Sequence, residues 1–236
     1  MSDLRTGPGP LVCLALDVAS RDAAVDWVAR LATHVDVFKI GLQLYCAEGP
    51  SIVRDVREAG ARRVFLDLKL HDIPNTVAGA VRGLRGLGID YLTLHVGGGV
   101  EMMRAAQAEA GSICLLGVTV LTSLDDGALA LTGHTSSARA LVARRARLAV
   151  DAGLGGLVCS PLEVAEVRAS VGAAPTLVTP GIRLDAASKT DDQRRVATPE
   201  AAQRDGASML VVGRPLLDAP DPVHVAQEIA RRLGRL

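Results

Sequence analysis

Residues 62–76 read RRVFLDLKLHDIPNT, an apolar strand-forming run that leads directly into three charged side chains. Because the side chains of a strand alternate between its two faces, Asp67 and Lys69 are expected to point to the same side. Asp72 follows just beyond, where the strand should end and a helix should begin near Pro74. The segment therefore predicts two carboxylates and one ammonium at one strand terminus.

The leucines between these charges indicate where the strand lies. Leu66, Leu68 and Leu70 occupy the opposite face, so the strand should be packed on both sides, as in a parallel sheet. A solvated ion pair on a loop is the alternative interpretation of the mixed charges, and it does not account for that apolar face.

The two carboxylates limit what Lys69 can do. A lysine that forms a Schiff base must be neutral when it attacks, whereas flanking carboxylates favour the charged form. An ammonium in this setting suits stabilising a developing negative charge and then donating a proton to it. A substrate carboxylate placed against Asp67 would be repelled, and its departure as carbon dioxide would relieve that repulsion.

Short apolar runs recur along the whole chain, with Ala/Arg/Glu-rich helical stretches between them. We predict strands at residues 11–17, 35–40, 62–68, 90–95, 113–119, 155–159, 175–179 and 208–212. We predict helices at residues 20–33, 43–58, 74–87, 99–109, 137–151, 161–170, 199–204 and 221–233. Eight alternating units predict a single-domain (β/α)8 TIM barrel over residues 1–236. Two connections are unusually long, residues 120–136 with a short helical turn and residues 180–198 as a mobile loop.

Polar residues stand at the ends of several predicted strands. Asp17 and Lys39 lie at the ends of the first two, and Thr122, Arg183 and Arg214 follow the fifth, seventh and eighth. Barrel enzymes build their active sites from the C-terminal ends of the strands. This distribution predicts an enzyme.

Composition excludes several classes of function. Charges balance at 26 basic and 26 acidic residues, which gives no basic field for nucleic acid. No apolar run approaches membrane-spanning length, and the first residues lack the apolar core of a signal peptide. The four cysteines are widely spaced without a Cys-x-x-Cys pair, which favours reduced thiols in a cytoplasmic protein. His71 and His95 lack neighbours at ligand spacing, so we expect structural roles rather than metal binding.

Six segments in order along the chain carry a resemblance to a known family. They are residues 14–17, 38–41, 65–76, 118–123, 179–183 with the later 191–193, and 212–215. Together they resemble the orotidine 5'-phosphate decarboxylase family over the whole chain, nearly residue for residue in the third segment. The resemblance implies decarboxylation of orotidine 5'-phosphate to UMP and CO2 in de novo pyrimidine biosynthesis, without a metal or an organic cofactor.

The resemblance also implies a role for each matching residue. The catalytic residues would be Lys69, Asp67, Asp72 and Lys39, with Lys69 stabilising the carbanion and donating the proton. The substrate-binding residues would be Asp17, Lys39, Ile73, Thr76, Thr122, Pro180, Arg183, Gln193, Gly213 and Arg214.

These substrate contacts divide between the parts of the nucleotide. By the resemblance, Asp17 and Lys39 contact the ribose hydroxyls, and the loop at Thr122 meets the pyrimidine edge. Gln193 bridges pyrimidine and phosphate as its loop closes, and Arg214 holds the phosphate.

The same resemblance implies a homodimer. In that family Asp72, Ile73 and Thr76 reach into the active site of a partner subunit, so each site would be completed across the interface.

The residues themselves leave alternatives open. Asp17 and Lys39 could pair as a structural salt bridge, alone or in addition to binding ribose. Thr122 with Ser123 could be a helix N-cap, and Gly213 could belong to an ordinary strand-to-helix turn.

Two other functions compete with the decarboxylase. A magnesium-dependent phosphosugar decarboxylase or aldolase of the same superfamily would need a further carboxylate near the second strand, where this chain has Lys39. A phosphate-binding barrel without catalysis is the non-enzyme alternative, and the intact charges at Asp67, Lys69 and Asp72 argue against it.

Overall fold

The computed structural model describes residues 9–184 and 196–236, and in them eight parallel strands close into one barrel. The strands are β1 (Leu11–Ala15), β2 (Val37–Gly41), β3 (Val64–Leu70), β4 (Tyr91–His95), β5 (Cys114–Val118), β6 (Gly156–Val158), β7 (Thr176–Thr179) and β8 (Met209–Val212). Each strand pairs with its neighbours in chain order, and β8 pairs with β1. The predicted (β/α)8 barrel is confirmed.

Helices connect the strands and surround the barrel. They are α1 (Arg21–Leu31), α2 (Leu42–Glu48), α3 (Ser51–Glu58), α4 (Pro74–Leu84), α5 (Val100–Ala108), α6 (Asp126–Leu131), α7 (Ala138–Asp151), α8 (Val164–Val171), α9 (Pro199–Arg204), α10 (Arg214–Leu217) and α11 (Pro222–Arg232). Within the described ranges, none is long and apolar enough to cross a membrane.

Some predicted boundaries were wrong for local reasons. The single helix predicted at 43–58 is two helices, because Gly49 adopts a positive φ of 70° and Pro50 follows it. The helical turn predicted within residues 120–136 is confirmed as α6. Residues 185–195 of the predicted mobile loop lie outside the described part of the chain.

The apolar core has two layers separated by the barrel wall. Phe65 of β3 packs inside the barrel with other strand residues, whereas the neighbouring Leu66 packs outside against the helices. The prediction that this strand is packed on both sides is confirmed. Because apolar side chains fill the barrel, its polar residues are placed at the two ends of the strands.

A buried ion pair lies at the N-terminal end of the barrel. The guanidinium of Arg235 donates two hydrogen bonds to the carboxylate of Asp36, at 2.7 and 2.9 Å. The same carboxylate accepts a hydrogen bond from the backbone N–H of Val12 at 2.7 Å. The side chains of Arg235 and Asp36 are only 3% and 2% exposed, so this pair is closed to solvent.

Candidate active site

The C-terminal ends of the strands surround a cavity of about 830 Å³. The sequence-predicted site residues that line it are Asp17, Lys39, Asp67, Lys69, Thr122, Pro180, Arg183, Gly213 and Arg214. Apolar side chains such as Phe65, Val158, Val178 and Val211 cover part of its wall. The structure therefore brings nine of the predicted residues to one place, as the strand-end positions predicted.

Charged groups of alternating sign form a row in this cavity, which we call the charge array: Asp17, Lys39, Asp67 and Lys69. The Nζ atom of Lys39 lies 3.3 Å from Oδ1 of Asp17 and 3.7 Å from Oδ2 of Asp67. The same Oδ2 atom lies 2.8 Å from Nζ of Lys69. The proposed Asp17–Lys39 salt bridge is therefore present, and it belongs to the cavity.

The array favours the charged forms of Lys39 and Asp67. Burial lowers the pKa of Lys39, but the attraction of Asp67 and Asp17 outweighs this effect and the net shift is upward. Burial raises the pKa of Asp67, but both lysines and the hydrogen bonds from Lys69 and Thr93 outweigh it and the net shift is downward. Asp67 is thus a fixed negative charge beside two ammonium groups.

The backbone at Lys69 departs from regular strand geometry. The register between β3 and β4 shifts between Leu66 and Leu70, and Lys69 adopts a φ of 52°. In residues 9–184 and 196–236 it is the only non-glycine residue with a positive φ. Such a conformation costs about 1–3 kcal/mol and is found mainly at functional sites. Strand alternation nevertheless holds, because Asp67 and Lys69 face the cavity whereas Leu66, Leu68 and Leu70 pack against the outer core.

Sequence reasoning missed Thr93, which supports the array from β4. Its side chain is fully buried, and its hydroxyl donates a hydrogen bond to Oδ1 of Asp67 at 2.8 Å. The available signal was a single polar residue between Leu92 and Leu94 of a buried strand, where alternation places it on the inner face.

Two arginines that line the cavity follow the last two strands of the barrel. Arg214 is the first residue of α10, directly after Gly213, and Arg183 follows β7. The side chain of Arg183 donates to the carbonyl oxygen of Ile182 at 2.9 Å, and burial lowers the pKa of its guanidinium. Gly213 lies beside the array, since a Cβ added there would be 3.5 Å from Oδ2 of Asp17.

Thr122 lines the cavity and does not cap a helix. The next helix, α6, begins at Asp126, and its N-cap is Asp125, whose carboxylate accepts from the N–H of Ala128 at 2.9 Å. The alternative N-cap interpretation of Thr122 is therefore wrong.

Three predicted residues do not reach the cavity of their own chain. Asp72, Ile73 and Thr76 are exposed, Ile73 by 66%. Asp72 accepts a hydrogen bond from the N–H of Ile73 at 2.6 Å and makes no ion pair with the described residues. The expected gathering of three charges thus holds for Asp67 and Lys69 but not, within one chain, for Asp72. Gln193 lies outside the described residues.

Among the described residues, the remaining histidine and cysteine side chains do not form a second site. His71 and His95 have ring centroids 5.3 Å apart, and burial, aided by the charges of His71 and Lys69, lowers the pKa of His95. Cys159 lines the cavity, but burial raises the pKa of its thiol to about 12. Among the residues that the structure describes, no three His, Cys, Asp or Glu side chains are grouped as metal ligands.

The chain is similar to known proteins in sequence and in structure. A family model described as orotidine 5'-phosphate decarboxylase / HUMPS family matches residues 10–229. Orotidine 5'-phosphate decarboxylase of Anaeromyxobacter dehalogenans is 53% identical over 96% of this chain and 99% of its own length. The protein of that name from Thermobifida fusca is 50% identical over 95% of this chain and 96% of its own.

A solved structure agrees in fold. The crystal structure of orotidine 5'-phosphate decarboxylase from Lactobacillus acidophilus superposes with a TM-score of 0.84 at 33% identity, covering 96% of this chain and 99% of that one. Sequence and fold agree along nearly the whole chain. The chain belongs to the orotidine 5'-phosphate decarboxylase / HUMPS family.

Proposed function

We propose that this chain is a carboxy-lyase that converts orotidine 5'-phosphate to UMP and CO2 in de novo pyrimidine biosynthesis. The observation that carries the proposal is the charge array, in which Nζ of Lys69 lies 2.8 Å from Asp67 at the C-terminal end of the barrel. The relatives that share half of its residues are named for this reaction.

The array fits the chemistry of decarboxylation. With the substrate carboxylate beside Asp67, the bond between the pyrimidine carbon and the carboxylate breaks, and its electron pair stays on that carbon. The Lys69 ammonium stabilises this charge and transfers a proton to the carbon, which leaves a neutral amine that solvent reprotonates. The side chain of Lys69 is 31% exposed, so its ammonium is open to the cavity while one side is held by Asp67.

The choice of lysine supports a proton-donating role. The sequence contains three lysines, at positions 39, 69 and 189, against a much larger number of arginines. Two of these three lysines are in the charge array. An arginine would supply the same charge, but it does not give up its proton in proteins. An ammonium at position 69 supplies both the charge and the proton.

The rest of the cavity suits a nucleotide. In this proposal Asp17 and Lys39 bind the ribose hydroxyls, and Thr122 meets the pyrimidine edge. The guanidinium of Arg214 binds the phosphate with charge-assisted hydrogen bonds, and Gly213 leaves space for it. Pro180, Arg183 and Gln193 complete the substrate contacts that the family resemblance implies.

We further propose a homodimer in which Asp72, Ile73 and Thr76 complete the partner's site. Support comes from their exposure at the start of α4 and from the absence, among the described residues, of an ion pair between Asp72 and Lys69. A 66% exposed isoleucine next to a charged residue also fits an interface. The single domain over residues 1–236 and the cytoplasmic location stay predictions.

The position of Lys39 favours this reaction over the magnesium-dependent alternative. Its ammonium lies between the carboxylates of Asp17 and Asp67 and neutralises the charge that would attract a divalent cation. The test is decarboxylation of orotidine 5'-phosphate by the purified protein in EDTA, with ribulose and hexulose phosphates as competing substrates. We expect turnover of orotidine 5'-phosphate at the same rate with and without EDTA. Turnover of a phosphosugar that EDTA abolishes, or no turnover at all, would contradict the proposal.

A further inference from the structure

The hydroxyl of Thr93 joins the two ends of Lys69. It accepts a hydrogen bond from the backbone N–H of Lys69 at 3.0 Å. It donates its own hydrogen to Oδ1 of Asp67 at 2.8 Å. The other carboxylate oxygen, Oδ2, accepts from Nζ of Lys69 at 2.8 Å. Backbone, hydroxyl, carboxylate and ammonium thus form a closed ring of hydrogen bonds.

The geometry of the strands explains why a side chain is needed at this point. β3 and β4 pair at Leu66 with Leu92 and again at Leu70 with Leu94, so β3 has two extra residues between these pairs. In such an irregularity the backbone loses regular ladder partners. Thr93 lies between the two pairings and supplies an acceptor for the N–H of Lys69 at its left-handed position.

The Thr93 hydroxyl cannot donate a hydrogen bond to any other group. A hydroxyl carries one hydrogen to donate, and here Asp67 receives it. Thr93 is fully buried and does not line the cavity, so substrate does not reach it. A β-branched side chain also has few rotamers open to it. Its effect on the reaction therefore passes through Asp67 and Lys69.

We propose that Thr93 is a positioning residue that fixes the Lys69 ammonium against Asp67 by holding the irregular backbone of Lys69 and the Asp67 carboxylate together. Without the hydroxyl, the backbone N–H and one carboxylate oxygen lose their partner, and the ammonium is free to move away from the reacting carbon. The expected effect on kcat rests on the proposed function. The hydrogen bonds of Thr93 to Lys69 and Asp67 do not depend on it.

The test compares Thr93→Val, which removes the hydroxyl at nearly constant shape, with Thr93→Ser, which keeps it. Thr119→Val is the matched control, because Thr119 is also fully buried and its hydroxyl donates to the carbonyl oxygen of Val158 at 3.0 Å, away from the array. Thr93→Ala removes the same hydroxyl without a second methyl group and replaces Thr93→Val if that variant does not fold.

Kinetics give the first result. We expect Thr93→Val to lower kcat for orotidine 5'-phosphate by about 10- to 100-fold, the size of effect that a small misplacement of a catalytic group produces. KM and the affinity for UMP should change little, because Thr93 does not touch the ligand. Thr93→Ser and Thr119→Val should retain kcat close to that of the wild type. Equal losses in Thr93→Val and Thr119→Val, or no loss in either, would overturn the proposal.

A second measurement does not depend on turnover. The hydrogen bond from Thr93 is one of the effects that lower the pKa of Asp67. Carbon-13 NMR titration of the Asp67 carboxyl group, without substrate, should therefore show a higher pKa in Thr93→Val than in the wild type and in Thr93→Ser. An unchanged Asp67 titration in Thr93→Val would overturn the proposal even if kcat fell. If the wild type proved inactive on orotidine 5'-phosphate, the proposed function would fail, and this titration would still decide the role of Thr93.

Discussion

The two ends of the barrel each hold charged side chains, and they use them differently. At the N-terminal end, Asp36 and Arg235 form a bidentate pair that is 2–3% exposed, and a backbone N–H shares the carboxylate. At the C-terminal end, Asp67 serves two ammonium groups at once, and the Lys69 side chain stays 31% exposed.

The two groups of charges differ in their exposure to solvent. A buried pair that loses one partner leaves an uncompensated charge, so the Asp36–Arg235 pair should matter mainly for stability. The charge array instead places two ammonium groups against one carboxylate and contains strained backbone at Lys69, which a fold without a task there would not keep. We infer that the first pair maintains the fold and the second performs chemistry.

The largest effect should come from removing the central carboxylate of the array. Asp67→Asn keeps the size of the side chain but takes away the charge that holds both lysines and faces the substrate carboxylate. We expect kcat for orotidine 5'-phosphate to fall by roughly 10³-fold, near the upper end for loss of one preorganised electrostatic group. Steady-state assays with a UMP-binding control measure this, and a loss below tenfold would mean that Asp67 is only structural.

A smaller effect is expected at the phosphate side of the cavity. Arg214→Ala removes a charge-assisted contact of about 1.5–3 kcal/mol, so kcat/KM should fall by about 10- to 100-fold. The slow reaction of orotidine, which lacks the phosphate, should be nearly unchanged. Kinetics on both substrates measure the difference. Equal losses on both would place Arg214 at the reacting centre or in folding.

Mixing two inactive variants tests whether the active site is formed within one chain, as the Asp36–Arg235 pair is, or is completed by Asp72 of a partner. If Asp72 serves the partner's site, inactive Lys69→Ala and inactive Asp72→Ala subunits should together form one intact site per mixed dimer. Random exchange of equal amounts should restore about a quarter of wild-type activity. No recovery despite demonstrated subunit exchange would place Asp72 in the site of its own chain.

The smallest effect should be on the pH dependence of the free energy of unfolding. The pKa of Asp67 is lower in the fold than its ordinary value of 3.8, because the lysines outweigh burial. The charged carboxylate therefore stabilises the fold at pH values above 3.8, and this contribution is lost as the pH falls through the lower folded pKa. Urea unfolding of the wild type and Asp67→Asn should differ by a constant amount from neutral pH to about pH 5 and converge in stronger acid. A difference that grows in acid would contradict the downward shift.

Much of the fold and of the cavity could be predicted from the sequence. Alternating apolar runs predicted the eight strands, and polar residues at their ends predicted the cavity that contains Asp17, Lys39, Asp67 and Lys69. In a parallel barrel the C-terminal ends of all strands meet at one rim, so residues at those ends could be assigned to one site from the sequence.

Other features could not be predicted, because they depend on contacts between distant parts of the chain. The irregular register of β3 against β4, and with it the support from Thr93, arises only when the strands pair. The ion pair of Asp36 with Arg235 joins residues 199 positions apart. No local pattern marks the irregular register or the ion pair, although the single polar residue between Leu92 and Leu94 is a signal for Thr93.

Two matched substitutions test most directly the inference that one end of the barrel stabilises and the other reacts. Lys69→Met and Arg235→Met each replace a cation that contacts a carboxylate, and kcat and the free energy of unfolding are measured for both. We predict that Lys69→Met lowers kcat by at least about 10³-fold, with general acid catalysis and charge stabilisation both lost. Its unfolding free energy should change by less than about 1 kcal/mol, as for a partly exposed ion pair.

Arg235→Met should show the reverse. We predict a loss of about 3–5 kcal/mol in unfolding free energy, because Asp36 is left buried without its partner, and an unchanged kcat for the folded protein. Lys69→Met with more than a tenth of wild-type kcat, or with a loss of stability equal to that of Arg235→Met, would contradict the division of roles.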